Sequence, residues 1–396
     1  MSSGGGSGTR LGLPRSVVVL GAVSFLNDAA SEMITPLLPL FLTMTLGAGP
    51  VVVGLIEGVA EATASLLKLV SGRLADRGIP PKRLLLGGYG ISNAARPLIG
   101  LAFGWTWVLA LRFFDRVGKG IRTSPRDAVI AAASGDDRRG HAFGFHRAMD
   151  NAGAVVGPLL AFALLGLQVP LGHVFLASVV PGLLVIGLLV FGLRGHETTL
   201  APAAATPPPS LHWRDLDSRL KGLLLAAGGL ALAAVPEVFL VLWAQSRGLH
   251  VVWVPLIWAA ASLVKSLLSW PAGALSDRVG RVPVVLTGWT LRVILLVLLA
   301  HAGEQTGVIW ALFLGYAGAL ALTEGAERAL IGDHAPARLK GTAFGLYHLL
   351  TGALALPGAV LFGAVWQGFG EMAAFHLAAV LTGIAALGML SVLRRG

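Results

Sequence analysis

Residues Arg112 to Asp127 read RFFDRVGKGIRTSPRD, with apolar sequence on both sides, WTWVLAL before and AVIAAA after. Seven charges in sixteen residues would be ordinary in a surface loop, but this stretch lies inside a segment apolar and long enough to cross a bilayer. On a helix, Asp115, Lys119, Arg122 and Arg126 fall at i, i+4, i+7 and i+11 and share one face. A single Lys or Arg at the centre of a membrane helix costs ~2.5–3.5 kcal/mol to insert. Five basic side chains cannot face lipid together. Their common face must look into protein or into a water-filled path.

The whole chain fits a membrane setting. It is 55% hydrophobic and 13% charged, with a mean hydropathy of +0.77, far too apolar for a soluble protein of 396 residues. The absence of cysteine excludes disulfides and thiolate metal sites. No two histidines have metal-ligand spacing on one helix face, so neither a metal nor any other cofactor is expected. The first apolar stretch contains Asp28 and Glu32 and no small-residue cleavage site follows it, so it reads as a retained span rather than a signal peptide.

Twelve apolar segments are each long enough to cross ~30 Å of hydrocarbon: 15–43, 51–74, 83–104, 107–131, 141–165, 173–193, 220–245, 252–275, 283–302, 308–332, 342–366 and 372–393. Residues 1–14 and 394–396 read as cytoplasmic tails. The Pro/Ala-rich stretch 194–219 cannot pack and reads as a cytoplasmic linker between an N-terminal bundle, 15–193, and a C-terminal bundle, 220–393. With this assignment eighteen of the thirty Lys and Arg are cytoplasmic, one is external, and eleven lie in spans beside ten acids. The charge of +10 is therefore the positive-inside bias of a membrane protein and not a nucleic-acid surface. The near balance inside the spans is what pairing of buried charges requires.

The two bundles repeat each other. GRLADR (72–77) aligns with GALSDR (273–278), and RGHAFGFHR (139–147) with KGTAFGLYH (340–348), both at an offset of 201. Transporters built from repeats place their substrate near the membrane midplane between them.

These loops carry a resemblance. Asp76 and Arg77 in the first, and GALSDRVGR with Asp277 and Arg278 in the second, resemble the G-x-L-A-D-R-x-G-R signature of the major facilitator superfamily; the first copy departs after Arg77. Either the loops gate the cytoplasmic side or they are topology-setting turns, with the Asp at a neighbouring helix N-terminus and the Arg in the headgroup zone. RVGKG, Arg116 to Gly120, resembles the superfamily's R-x-x-x-G element, which implies a part in proton coupling for Arg116; the alternative is a structural ion pair such as Asp115 with Arg96. GAVVGP, with Gly153, Gly157 and Pro158, resembles the G-x-x-x-G-P signature of proton-coupled exporters, and small residues there let two helices approach closely. The implied fold is an all-α integral membrane protein of twelve transmembrane helices in two pseudo-symmetric six-helix bundles.

Other intramembrane charges supply candidates. Asp28 and Glu32, one turn apart, repel each other and suit a proton carrier, unless they are bridged to Arg122 or Arg147. Glu61 joins them as a coupling candidate. Lys68 and Lys265 can hold an anionic group together or neutralise Glu61 and Glu237. His146 is either a proton shuttle or an interhelical hydrogen-bonded group. Lys119, Arg122, Arg147, Asp150 and Glu324 complete the cavity candidates. Arg126-Asp127 and Glu327-Arg328 stand at the same offset with reversed charge order, so they can pair across the two halves as a cytoplasmic gate or pair within each half.

The expected function is secondary active transport of a small polar or amphipathic solute by alternating access. Proton-coupled efflux by antiport is the first reading, and proton symport of an anionic metabolite the second. No phosphate-binding G-x-x-x-x-G-K-[ST] loop is present to use ATP. An intramembrane enzyme built on Asp28, Glu32 and His146, or a receptor, is remote. The expected partners are the solute, protons and the bilayer, with no nucleic acid. The chain is expected as a monomer in the cell (inner) membrane, with both termini cytoplasmic.

Overall fold

A computed structural model describes residues 13–76, 79–193, 216–335 and 340–394, with side chains at all of these except 68–70, 72–76, 135–140, 340–342 and 393–394. Expectations resting on residues 1–12, on Arg77, on the linker stretch 194–215, on 395–396, and on the Lys68 and Asp76 side chains lie outside the described residues.

All regular structure among the described residues is helical. In chain order the α-helices are α1 (Arg15–Glu32), α2 (Leu38–Leu40), α3 (Pro50–Asp76), α4 (Pro81–Leu98), α5 (Trp105–Gly166), α6 (Leu171–Ala177), α7 (Val179–Gly192), α8 (Ser218–Ala233), α9 (Glu237–Ser246), α10 (Val254–Val279), α11 (Arg281–His301), α12 (Thr306–His334), α13 (Lys340–Phe369) and α14 (Glu371–Arg394). Nine helical stretches among the described residues are long and apolar enough to cross a membrane by length and composition. The anticipated spans outside that set are one, three and four, and charge is the reason. The 18 residues of α1 include Arg15, Asp28 and Glu32, and the 18 of α4 include Lys82, Arg83 and Arg96. Span four carries the Arg112–Asp127 stretch.

Spans one and seven are both broken. α1 stops at Glu32, before Pro36, and the chain resumes as α2 and one turn of π-helix, Phe41–Thr45. α8 stops at Ala233, and Pro236 precedes α9. Proline lacks the N–H that would continue the ladder, so a helix ends at or just before it. Glu32 is the last residue of α1 and Glu237 the first of α9, so an acid flanks each break.

The chain divides into two compact units, 1–35 with 67–205 and 36–66 with 206–396. By its contacts the stretch from Pro36 to Leu66 groups with the second unit. The reason is a glycine seam with α13. A Cβ on Gly58 would stand 2.9 Å from Leu356 Cα, one on Gly363 would stand 2.9 Å from the Pro50 carbonyl carbon, and one on Gly352 would meet the Ser65 side chain. Side chains larger than hydrogen would separate these helices.

α5 is assigned as helix from Trp105 to Gly166, where two spans and a loop were expected. Its neighbours show that it reverses direction. Its first part runs antiparallel to α4: Gly88 lies against Gly118 and Arg122, and Arg96 against Asp115. Its last part runs parallel to α1, with Gly21 against Phe145, Gly153 against Phe25 and Gly157 against Ala29. Val129, Ile130 and Ala142 share one apolar core with Leu13, Val17 and Tyr89, so both parts reach the same end of the unit. Spans four and five are thus both present, joined through a helical turn.

The repeat is visible in the packing within each unit. Gly88 abuts Gly118 and Arg122, and Gly288 abuts Ala319 and Thr323, at offsets of 288 − 88 = 200 on one helix and 319 − 118 = 323 − 122 = 201 on the other. Gly157 abuts Ala29 as Gly358 abuts Leu232. One level away the sizes are exchanged: Gly153 lies against Phe25, while Leu354 lies against Gly228.

Candidate functional site

Span four presents the two faces that its sequence requires. Phe113 and Phe114 are exposed, as are Trp105 and Trp107, whereas Arg112, Asp115 and Arg122 are buried. The aromatic face suits lipid and the charged face is turned into the unit.

Asp115, 1% exposed, is the centre of that face. Arg96 Nε donates to its Oδ1 at 2.8 Å, and Arg112 and Arg116 approach its Oδ2 at 3.5 Å each. Arg96 Nη1 also donates to the Asn27 side-chain oxygen at 3.0 Å and to the Asn27 carbonyl at 3.2 Å. Asn27 Nδ2 in turn donates to Asp28 Oδ1 at 3.0 Å. The network therefore joins spans one, three and four, the same three whose charge sets them apart by composition. Arg122 Nη1 donates to Ser92 Oγ at 2.6 Å, Ser92 Oγ donates to the Asp115 carbonyl at 2.8 Å, and the guanidinium lies 4.6 Å from the centre of the Tyr89 ring. Arginine suits this place because its planar fork bonds along its edge and stacks on its face.

A second polar group lies between α1 and the last part of α5. His146 Nε2 and Ser24 Oγ are 2.7 Å apart, and His146 Nδ1 is 3.5 Å from Asp150 Oδ2. Asp150 Oδ1 is buried with no hydrogen-bond partner. A Cβ on Gly153, one turn further on, would stand 3.0 Å from Asp28 Cβ, so Asp28 faces α5 close to Asp150. Asp150 is also within electrostatic reach of Asp28, Arg126 and Arg147. The structure thus sets Asp28 beside a carboxylate of another helix as well as one turn from Glu32 on its own. Arg147 is exposed, and Lys119 is partly buried.

In the second unit Lys265 Nζ donates to both oxygens of Glu237 at 2.9 Å, and lies 5.9 Å from the centre of the Trp258 ring. Lys265 thus sits against Glu237 at the broken span seven. Glu61 accepts from Ser65 Oγ at 3.3 Å. A double-mutant cycle of Lys265→Met and Glu237→Gln, followed by thermal unfolding, is expected to give a coupling energy of about 0.5–3 kcal/mol. Strict additivity would mean that the pair contributes nothing to stability.

The reversed charge pairs are satisfied within their own units. Arg126 Nε donates to Asp127 Oδ1 at 3.0 Å, Arg328 Nη2 to Glu324 Oε1 at 2.6 Å, and Trp289 Nε1 to Glu327 Oε1 at 2.6 Å. In the second loop Asp277 does not cap α11, the helix that follows it. Arg281 Nη1 donates to Asp277 Oδ1 at 3.1 Å and Arg281 Nε to Asp333, while α11 follows Gly280 without a side-chain cap. Gly280 has φ +103°, which any side chain would strain, and this accounts for a glycine between α10 and α11. Arg278 is exposed.

Sequence reasoning passed over Ser24, Asn27, Ser92 and Asn93, because neutral polar residues carry no charge signal inside an apolar run. A usable signal was spacing: Ser92 and Asn93 stand four and three residues before Arg96, on its face of the helix.

Charges turned inward on several membrane helices, together with two broken spans, suit a polytopic carrier. The family pattern of the Major Facilitator Superfamily matches residues 20–353, and the chain belongs to that superfamily. It is 30% identical over 381 residues to an uncharacterised MFS-type transporter of Methanocaldococcus jannaschii, covering 94% of each chain. Its fold is similar to that of a bacterial homologue of the human lysosomal transporter Spinster in an inward-facing, occupied conformation, with TM-score 0.78, 17% identity and 96% of each chain covered. It is also similar to that of a peptide transporter, POT, in complex with sulfate, with TM-score 0.80, 14% identity and coverage of 98% of this chain and 96% of the other. The protein is a multi-pass membrane protein and a secondary transporter of a small molecule.

Proposed function

We propose that the chain is a proton-coupled exporter in the cell (inner) membrane, with both termini cytoplasmic, moving a polar or amphipathic solute outward in exchange for protons. The observation that carries this reading is the meeting of Asp28, Asp150 and His146 between spans one and five. Two carboxylates from different helices share a partly buried site with a histidine, and one carboxylate oxygen has no hydrogen bond. Two neighbouring acids of different helices suit a proton carrier. Arg126 and Arg147 lie within electrostatic reach of the same site.

The experiment is transport by the purified protein in vesicles under imposed pH gradients of either sign, with solutes first selected by thermal shift. Solute uptake into acid-loaded vesicles, in exchange for protons leaving, is the expected result. Asp28→Asn and Asp150→Asn are expected to lose gradient-driven transport while keeping solute-for-solute exchange. Accumulation only when protons and solute enter together would replace this reading by symport.

A further inference from the structure

We propose that Arg292 and Tyr316 hold a small monovalent anion, either an inorganic halide or the carboxylate of a solute, between α11 and α12. Arg292 is 3% exposed, and its Nε and Nη2 have no hydrogen-bond partner. Its guanidinium lies 5.8 Å from the centre of the Tyr316 ring, and the Tyr316 hydroxyl, also buried, has no partner either. Three buried donors on two adjacent helices thus have no acceptor. A buried cation without a counter-charge costs several kcal/mol or more, and a hydrogen-bonded anion offsets that cost.

The repeat makes the asymmetry specific. At the packing offsets of 200 and 201, Arg292 stands where the first unit has Ser92, Thr323 where it has Arg122, and Tyr316 where it has Asp115. The arginine and the hydroxyl have exchanged helices, and the carboxylate that anchors the first unit has become a tyrosine. The acids of the second unit near these helices are engaged elsewhere: Glu237 with Lys265, Glu324 with Arg328 and Glu327 with Trp289. Among the described residues no carboxylate forms an ion pair with Arg292. Gly315 and Ala319 flank Tyr316, and the Gly288 contact draws the two helices close, so a compact anion fits better than a large one.

The test is thermal unfolding of the full-length protein in detergent at constant ionic strength, with chloride, bromide or formate replacing gluconate. A midpoint rise of about 2–4 °C is expected at an anion concentration ~10 times the dissociation constant. A response to halides alone assigns an inorganic ion, and a response to formate alone assigns a carboxylate. Arg292→Gln should abolish the response. Tyr316→Asp, which restores the acid of the first unit, should abolish it while leaving the midpoint in gluconate at or above that of the unaltered protein. An unaltered protein indifferent to the anion, or a Tyr316→Asp variant that keeps the full response, would overturn the proposal.

Discussion

Asp115→Asn is expected to destabilise the protein by about 3–5 kcal/mol, because it removes the acid that Arg96, Arg112 and Arg116 hold in common and leaves buried cations without that counter-charge. Asp115 and Arg96 are 1% and 3% exposed, so water cannot take over. The change keeps size and shape, and any loss comes from charge rather than packing. Thermal unfolding and size-exclusion behaviour in detergent measure it. Adding Arg96→Met to Asp115→Asn should recover part of the loss, since one of the three cations is then gone. If Asp115→Asn alone unfolds at the same temperature as the unaltered protein, the three arginines are balanced by something other than this carboxylate.

That expectation also shows how far the sequence can be read. The shared face of Asp115 and Arg122 follows from helical spacing, and the cost of charge in hydrocarbon fixes which way it turns. The same reasoning pairs Arg96 with Asp115 and Lys265 with Glu237, because buried opposite charges must be compensated. The duplication is legible because the two loop motifs keep one offset, and the packing of Gly157 and Gly358 follows it. Three things are hidden. Residues 36–66 group with the second unit through close approaches at glycines of spans two and eleven, and glycines are common enough in membrane helices that no spacing singles these out. The near partners of two charged residues are hidden as well: Arg126 pairs with Asp127, its chain neighbour, and Asp277 with Arg281 one turn on. Arg292 gives no sign of its partner because its counterpart is an aromatic ring and not an acid, so charge balance has nothing to match.

Gly157→Ala and Gly358→Ala should each destabilise by about 1–3 kcal/mol, and by similar amounts, because they break the same contact in the two units. A Cβ at 157 would overlap the Ala29 carbonyl oxygen and stand 3.0 Å from the Ala29 Cα; one at 358 would stand 2.5 Å from the Leu232 carbonyl oxygen and 3.0 Å from its Cα. Both obstacles are backbone, so no rotamer change relieves them and the paired helices must separate. At Gly157 that separation acts on function as well, because the approach of α1 to α5 sets Asp28 near Asp150 two turns away. Gly157→Ala should therefore lose pH-driven transport more steeply than Gly358→Ala for the same fall in unfolding temperature. Gly187→Ala, where an added Cβ meets nothing within 4 Å, is the control, and its helix should be unharmed or slightly steadied. Equal loss of transport at 157 and 358 would detach the α1–α5 approach from proton coupling, and a Gly157→Ala protein as stable as the Gly187→Ala control would mean that these two helices do not need the close contact at all.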